Sequence, residues 1–192
     1  MKRIILSIIL SVSFITTAMA IEYPNDKLFL NIFFGAGTFS AGENKGGSAF
    51  FSGSLSLDWI PNQRIGLSYG IETALLGGKE QNNIIYGIPI IFRIGWHPVF
   101  LQFENFNIFI LGKTGWGFGI WGDNLDNDST TGGIVCGINI GGSYVLTNLL
   151  RLYMEVGYNY YGLARNSNYP EYPLGYGSGK TYASIGLSLK LF

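Results

Sequence analysis

The sequence predicts an all-β fold: one eight-stranded antiparallel up-and-down β-barrel that spans a membrane. Three observations predict it. The chain is 47% hydrophobic and 16% aromatic with 28 glycines, yet only 12% charged, about half the usual charged share of a soluble domain. Beyond residue 20, no apolar run approaches the roughly 20 residues of a membrane helix. Apolar and polar residues instead alternate at period 2, the mark of strands with two unlike faces.

Taken in order, the chain opens on an export leader. Lys2 and Arg3 precede a short apolar core, and Ala18-Met19-Ala20 is a small-x-small cleavage site. Residues 1–20 therefore read as a signal peptide and 21–192 as the barrel domain. Ile21 is no lipidation cysteine. Without Lys2 and Arg3, the 12 basic and 12 acidic residues leave a net charge near −2. Nucleic acid, which calls for a basic stripe, is not an expected partner. The single cysteine, Cys136, excludes an internal disulfide.

Strands are expected at about 28–38, 48–60, 64–75, 84–96, 106–121, 133–146, 151–162 and 180–192. In the second, Phe51, Leu55, Leu57 and Trp59 oppose Ser52, Ser54, Ser56 and Asp58. In the third, Leu67, Tyr69 and Ile71 oppose Arg64, Ser68, Gly70 and Glu72. In the fourth, Ile88, Ile90, Phe92, Ile94 and Trp96 oppose Pro89, Arg93 and His97. In the seventh, Leu152, Met154, Val156 and Tyr158 oppose Arg151, Glu155 and Asn159. The last carries Ile185, Leu187 and Leu189 against Tyr182, Ser184, Gly186, Ser188 and Lys190. No charge falls on the oily face of any of these segments. A soluble barrel would turn its polar face outward, so here the charges belong to the lumen.

The connections alternate in length. Pro61-Asn62-Gln63 and Thr147-Asn148-Leu149-Leu150 are tight, while about 39–47, 76–83, 122–132 and 163–179 read as longer polar loops. Short turns on one side and long loops on the other place both termini in the periplasm. His97 to Asn105 is long and apolar for a short turn. It predicts either strand extensions or a hydrophobic elbow at the periplasmic rim. Trp59, Trp96, Phe106 and Phe192 fall at periplasmic strand ends, where an interfacial aromatic belt belongs.

Eight alternating strands, a leader and a terminal Phe192 resemble the small bacterial outer-membrane barrels: the OmpA transmembrane domain, OmpX, OmpW and opacity-type proteins. The closing strand departs in phase, since Leu191, Leu189 and Leu187 take the even places when Phe192 is counted as the first. The resemblance implies residence in the outer membrane and contact with its lipid, lipopolysaccharide or an equivalent. It also implies insertion by the barrel-assembly machinery, and no enzymatic activity or cofactor.

Within the barrel, Glu72, Arg93, Lys113 and Glu155 point inward from mid-strand and sum to zero charge. An eight-stranded barrel is only wide enough for side chains to fill, and unpaired buried charges are costly. These residues are expected to form an ion-pair plug. A gate with exchangeable pairs is the functional alternative, as similar OmpA-type lumens suggest. Inward Phe29, Phe33, Phe50, Phe109 and Leu111 favour a filled interior.

Two motif matches lack their context. Gly117 to Gly122 spells GxGxxG, but within and at the end of a strand, with no helix opening on it. Gly66 to Gly70 spells GxSxG, but Ser68 is mid-strand and no nucleophile elbow is expected. The only histidine, His97, precedes Pro98 at the predicted periplasmic rim, away from the outer leaflet where lipid A-modifying barrels work. Asp123, Asp126 and Asp128 are oxygen donors that could hold Ca²⁺, but the spacing is not that of an EF-hand, and the loop reads as solvated and acidic. The fourth loop carries Tyr169, Tyr172 and Tyr176, favoured contact residues for an extracellular ligand.

The expected function is a surface protein with a structural or loop-mediated binding and adhesion role. A narrow gated pore or an OmpW-like route for small hydrophobic molecules is the alternative, and a lipid A-modifying enzyme the third class.

Overall fold

A computed structural model describes residues 27–39, 48–62, 66–80, 83–122, 131–161 and 181–191. The expected leader at 1–20 and Phe192 lie outside the described residues. Eight strands run in chain order: β1 (Lys27–Phe39), β2 (Ser48–Asn62), β3 (Leu67–Glu80), β4 (Asn83–Trp96), β5 (Phe106–Gly122), β6 (Thr131–Val145), β7 (Leu150–Tyr161) and β8 (Tyr182–Lys190). Each pairs antiparallel with the next, and β8 closes on β1 from Phe29↔Lys190 to Gly37↔Tyr182. Closure leaves no sheet edge, so every spanning strand has a hydrogen-bonding neighbour on both sides, as a bilayer demands.

The alternation sorts side chains between two environments. Phe34, Phe51, Leu75, Phe92, Ile138, Val156 and Ile185 are exposed on the outer wall. Asn31, Glu72, Arg93, Lys113, Asn139, Glu155 and Asn159 are at most 4% exposed inside it. That inverts a soluble protein and matches a lipid-facing surface. On β8 the inner face is Tyr182, Ser184, Gly186 and Ser188, with Ala183, Ile185, Leu187 and Leu189 outside. Inward glycines leave room for the larger inward rings: a Cβ on Gly141 would run into Phe109, and one on Gly35 into Tyr182.

Several boundaries differ from expectation. Residues 76–83 are not a long loop: β3 and β4 stay paired to Glu80↔Asn83. Polar residues such as Lys79 interrupt the apolar alternation of the sequence but not the hydrogen-bond ladder. β5, at 17 residues, is likewise longer than the roughly 9–11 needed to cross. At the other end β2 reaches Asn62 through a register shift after Trp59, where Pro61 can sit without breaking a regular ladder. Gly66, at φ 69°, takes the left-handed turn that a side chain would strain.

His97 to Asn105 forms an elbow. A single 3₁₀ turn, Val99–Leu101, is closed by Leu101 N–H donating to Pro98 O. Val99, Phe100 and Phe103 are exposed, and the Phe100 ring meets Trp96 edge-on at 6.4 Å.

Candidate functional site

The site begins with a line of register across the sheet. Asp58 pairs with Gly70, Gly70 with Arg93, and Arg93 with Lys113. All these positions face inward, and Gly70 contributes no side chain. Arg93 therefore reaches over Gly70, its Nε 3.2 Å from Asp58 Oδ1. A Cβ on Gly70 would occupy the Asp58 carboxylate's place.

Glu72 and Glu155 complete the network. Arg93 Nη1 donates to Glu72 Oε2 at 2.9 Å, and Lys113 Nζ lies 2.9 Å from the same oxygen. Lys113 also donates to Glu155 Oε1, and Arg93 Nη2 lies 3.7 Å from Glu155 Oε2. Tyr153 threads between them: its hydroxyl accepts from Arg93 Nη2 and donates to Glu155 Oε2 at 2.9 Å. Asn31 Nδ2 donates to Asp58 Oδ2 at 2.7 Å. The Phe33 ring lies beneath both cations, with centroid distances of 5.6 Å to Arg93 and 5.7 Å to Lys113.

The structure thus places Glu72, Arg93, Lys113 and Glu155 together, and adds three residues that the sequence reading left out. Asp58, Tyr153 and Asn31 belong to the same network. With Asp58 it holds three carboxylates against two cations, not the neutral set of four. The missing signal was Gly70: Asp58 sits opposite a glycine that opens a path to Arg93, visible only once the β2–β3–β4 register is known. Apolar clusters flank the network. Phe33, Phe109, Leu111 and Tyr153 form one; Phe50, Ala74, Leu76, Ile91, Val135, Tyr161 and Tyr182 form the other.

Below the network, where β1 begins and β8 ends, lies a cavity of about 210 Å³. Phe29, Asp58, Ser68, His97, Phe109 and Arg151 are among its walls. Here one expectation needs correcting. His97 is not a detached rim residue, and Ser68 is not remote from it: His97 Nε2 and Ser68 Oγ are 3.0 Å apart. The elbow after β4 turns the imidazole inward, and His97 N–H donates to Gly66 O. Its ring also lies 5.1 Å from the Phe109 ring. A nucleophile–base couple also calls for a third group that orients the base. Among the described residues no carboxylate holds the other ring nitrogen. Burial, then the positive Arg151 and Arg93, hold the imidazole down at about 4, opposing the imidazolium that a general base becomes.

The remaining candidates separate from this site. Tyr169, Tyr172 and Tyr176, and the Ca²⁺ candidates Asp123, Asp126 and Asp128, lie outside the described residues. Among the described residues no cluster of metal-ligating side chains is present. Cys136 is exposed on the outer wall, and Gly117 to Gly122 lie in β5.

No family model and no curated protein sequence matches the chain. Solved structures do. Neisserial surface protein A (NspA), from Neisseria, superposes with a TM-score of 0.63 at 14% identity, covering 85% of this chain and 95% of that one. A major outer membrane protein from Thermus thermophilus gives 0.54 at 12% identity, covering 85% and 99%. The N-terminal β-barrel domain of Pseudomonas aeruginosa OprF gives 0.51 at 10% identity, covering 87% and 98%. At these identities the likeness is one of fold. With the inverted surface of this chain, it makes the protein a closed eight-stranded barrel with the outer wall of a membrane-spanning one.

Proposed function

We propose that this outer-membrane barrel is a non-enzymatic surface protein: the barrel anchors it, the lumen stays closed, and the extracellular loops make its contacts. The observation that carries the closed lumen is the buried network, in which Arg93 spans from Asp58 to Glu155 across the barrel interior. Breaking such a pair exposes an uncompensated buried charge, at a cost of about 3–5 kcal/mol. Outer-membrane lipid surrounds the wall, lipopolysaccharide or an equivalent, and the barrel-assembly machinery inserts it. The loop at 163–179, with Tyr169, Tyr172 and Tyr176, is the proposed contact with an extracellular ligand.

Single-channel recording of the refolded protein in a planar bilayer tests the closed lumen. Silence from a folded, heat-modifiable barrel is expected, and discrete openings would overturn it. Shortening residues 163–179 tests the contacts: cell or matrix adhesion is expected to fall while the barrel stays folded. Unchanged adhesion would move the contacts elsewhere.

One observation favours a gated pore as the second reading. Glu72 holds both Arg93 and Lys113 through Oε2 alone, while its Oε1 has no hydrogen-bond partner among the described residues. A carboxylate shared in this way can pass between cations. Openings that appear or lengthen in Glu72→Gln would favour that reading.

A further inference from the structure

The cavity below the network has an electrostatic feature that the network does not explain. Besides Arg93, which belongs to the network, its cations come from strands at the closing seam: Lys27 from β1 and Arg151 from β7, with Lys190 of β8 beside them. Register brings them together, since Phe29 pairs with Lys190 and Arg151 with Ser188. Lys27 and Arg151 line the cavity. Among the described residues, the charges that act on the Lys27 ammonium are both positive, Arg151 and Lys190. No ion pair joins any of the three to a carboxylate among the described residues. Arg151 instead lies over the Phe29 ring, 4.8 Å from its centroid.

The carboxylates of the cavity do not compensate. Asp58 is turned to Arg93 and Asn31, and Glu104, exposed in the wall, makes no ion pair with Lys27 or Arg151 among the described residues. Positive charge also reaches the far wall, where Arg151 and Arg93 both act on His97. Like charges gathered at a partly enclosed, low-dielectric mouth repel one another and raise the local concentration of anions. Phe29, Phe109, Leu111, Ile60 and Val145 give the wall an apolar and aromatic part, beside polar Asn31, Ser68, Gln102, Asn107, Ser143 and Ser188. The volume of about 210 Å³ is far above the roughly 10–15 Å³ that holds one water.

We propose that this vestibule is a binding site for a small organic carboxylate, its anion held by Arg151 and Lys27 and its apolar body placed against Phe29 and Phe109. The guanidinium fork suits a carboxylate in particular, because two parallel N–H donors match its two oxygens. Ser188 and Asn107 supply further polar contacts at the wall. The site is separate from the loops and stands whether or not the barrel conducts.

His97 is the single histidine and lines the cavity, so its ring proton signal reports occupancy without ambiguity. The protein, refolded in detergent, is titrated with benzoate, acetate and chloride at matched ionic strength. Benzoate is expected to shift the His97 signal saturably at millimolar concentration, with acetate at least tenfold weaker and chloride without a saturable effect. Bound benzoate is also expected to raise the His97 titration midpoint, because its charge offsets Arg151 and Arg93. Arg151→Gln should abolish the saturable shift, and Lys27→Gln should weaken it about tenfold, while Lys27→Arg retains it. Heat-modifiable migration of each variant establishes that it is folded. A response identical in benzoate and chloride, or unchanged in folded Arg151→Gln, would overturn the site. Acetate binding as tightly as benzoate would overturn the apolar half of it.

Discussion

Arg93 and Lys113 are direct register partners across β4 and β5, two cations side by side inside the barrel. Like charges directly opposite destabilise a strand pair, so the arrangement depends on the carboxylates between them. Glu72 Oε2 lies 2.9 Å from both Arg93 Nη1 and Lys113 Nζ. Glu72→Gln keeps the volume and removes the charge. It is expected to lower unfolding stability by about 3–5 kcal/mol, the usual result of taking one partner from a buried pair. A denaturant titration followed by heat-modifiable gel migration measures it. A change below about 1 kcal/mol would mean that Lys113 and Arg93 are satisfied by Glu155 and Asp58 without it.

Gly70 and Asp58 form a second dependent pair. Any Cβ at Gly70 meets Asp58 Oδ1 and the Leu57 carbonyl. Gly70→Ala should therefore cost about 1–3 kcal/mol, the range for forced overpacking. In an Asp58→Ala background part of that cost should vanish, because the side chain it strikes is gone. The double-mutant cycle should show a coupling of about 0.5–3 kcal/mol. Additive losses would separate Gly70 from the network.

The same two residues show what a sequence can and cannot disclose here. Strand existence and facing were legible because a membrane barrel forces period-2 sorting with no tolerance for an outward charge at mid-bilayer. Glu72, Arg93, Lys113 and Glu155 are inward by parity alone. Which of them touch is a matter of register, and register depends on turn lengths that composition blurs. The β3–β4 hairpin was hidden because Lys79 and Glu80 look like loop residues, although paired strands need apolar side chains only within the bilayer. Asp58 looked like a strand-end residue because nothing in β2 reveals that Gly70 opens a path to Arg93. The Ser68–His97 contact was hidden for a related reason: it depends on how the Val99–Leu101 elbow turns back toward Gly66.

The elbow and the outer wall give a test of depth. Ile90 lies amid the outward apolar row of β4, whereas Phe100 is exposed on the elbow at the end of the strand. Arginine on the lipid face costs about 2–4 kcal/mol at the midplane and about 0–1 kcal/mol near the interface. Ile90→Arg should accordingly destabilise the barrel far more than Phe100→Arg when both are refolded into the same vesicles. Equal costs would displace the midplane from Ile90.

His97 makes stability depend on pH, with a definite sign. Burial, and then Arg151 and Arg93, hold its folded midpoint at about 4, below the roughly 6.5 of an unfolded chain. Between these values the unfolded chain binds more protons than the folded one, so stability falls as the medium is acidified. The contribution is fully present above pH about 6.5 and is lost as pH drops toward 4. At about 1.4 kcal/mol per unit of difference, the loss is at most about 3 kcal/mol. Every other group is common to both proteins, so the useful quantity is the difference between wild type and His97→Gln. The glutamine can keep the bond to Ser68 but carries no titrating ring. Denaturant midpoints at pH 7 and pH 4.5 should converge in the variant relative to wild type. The ring signal of this lone histidine gives the midpoint directly, and a value near 6.5 in the folded barrel would show the imidazole to be solvated and remove the effect.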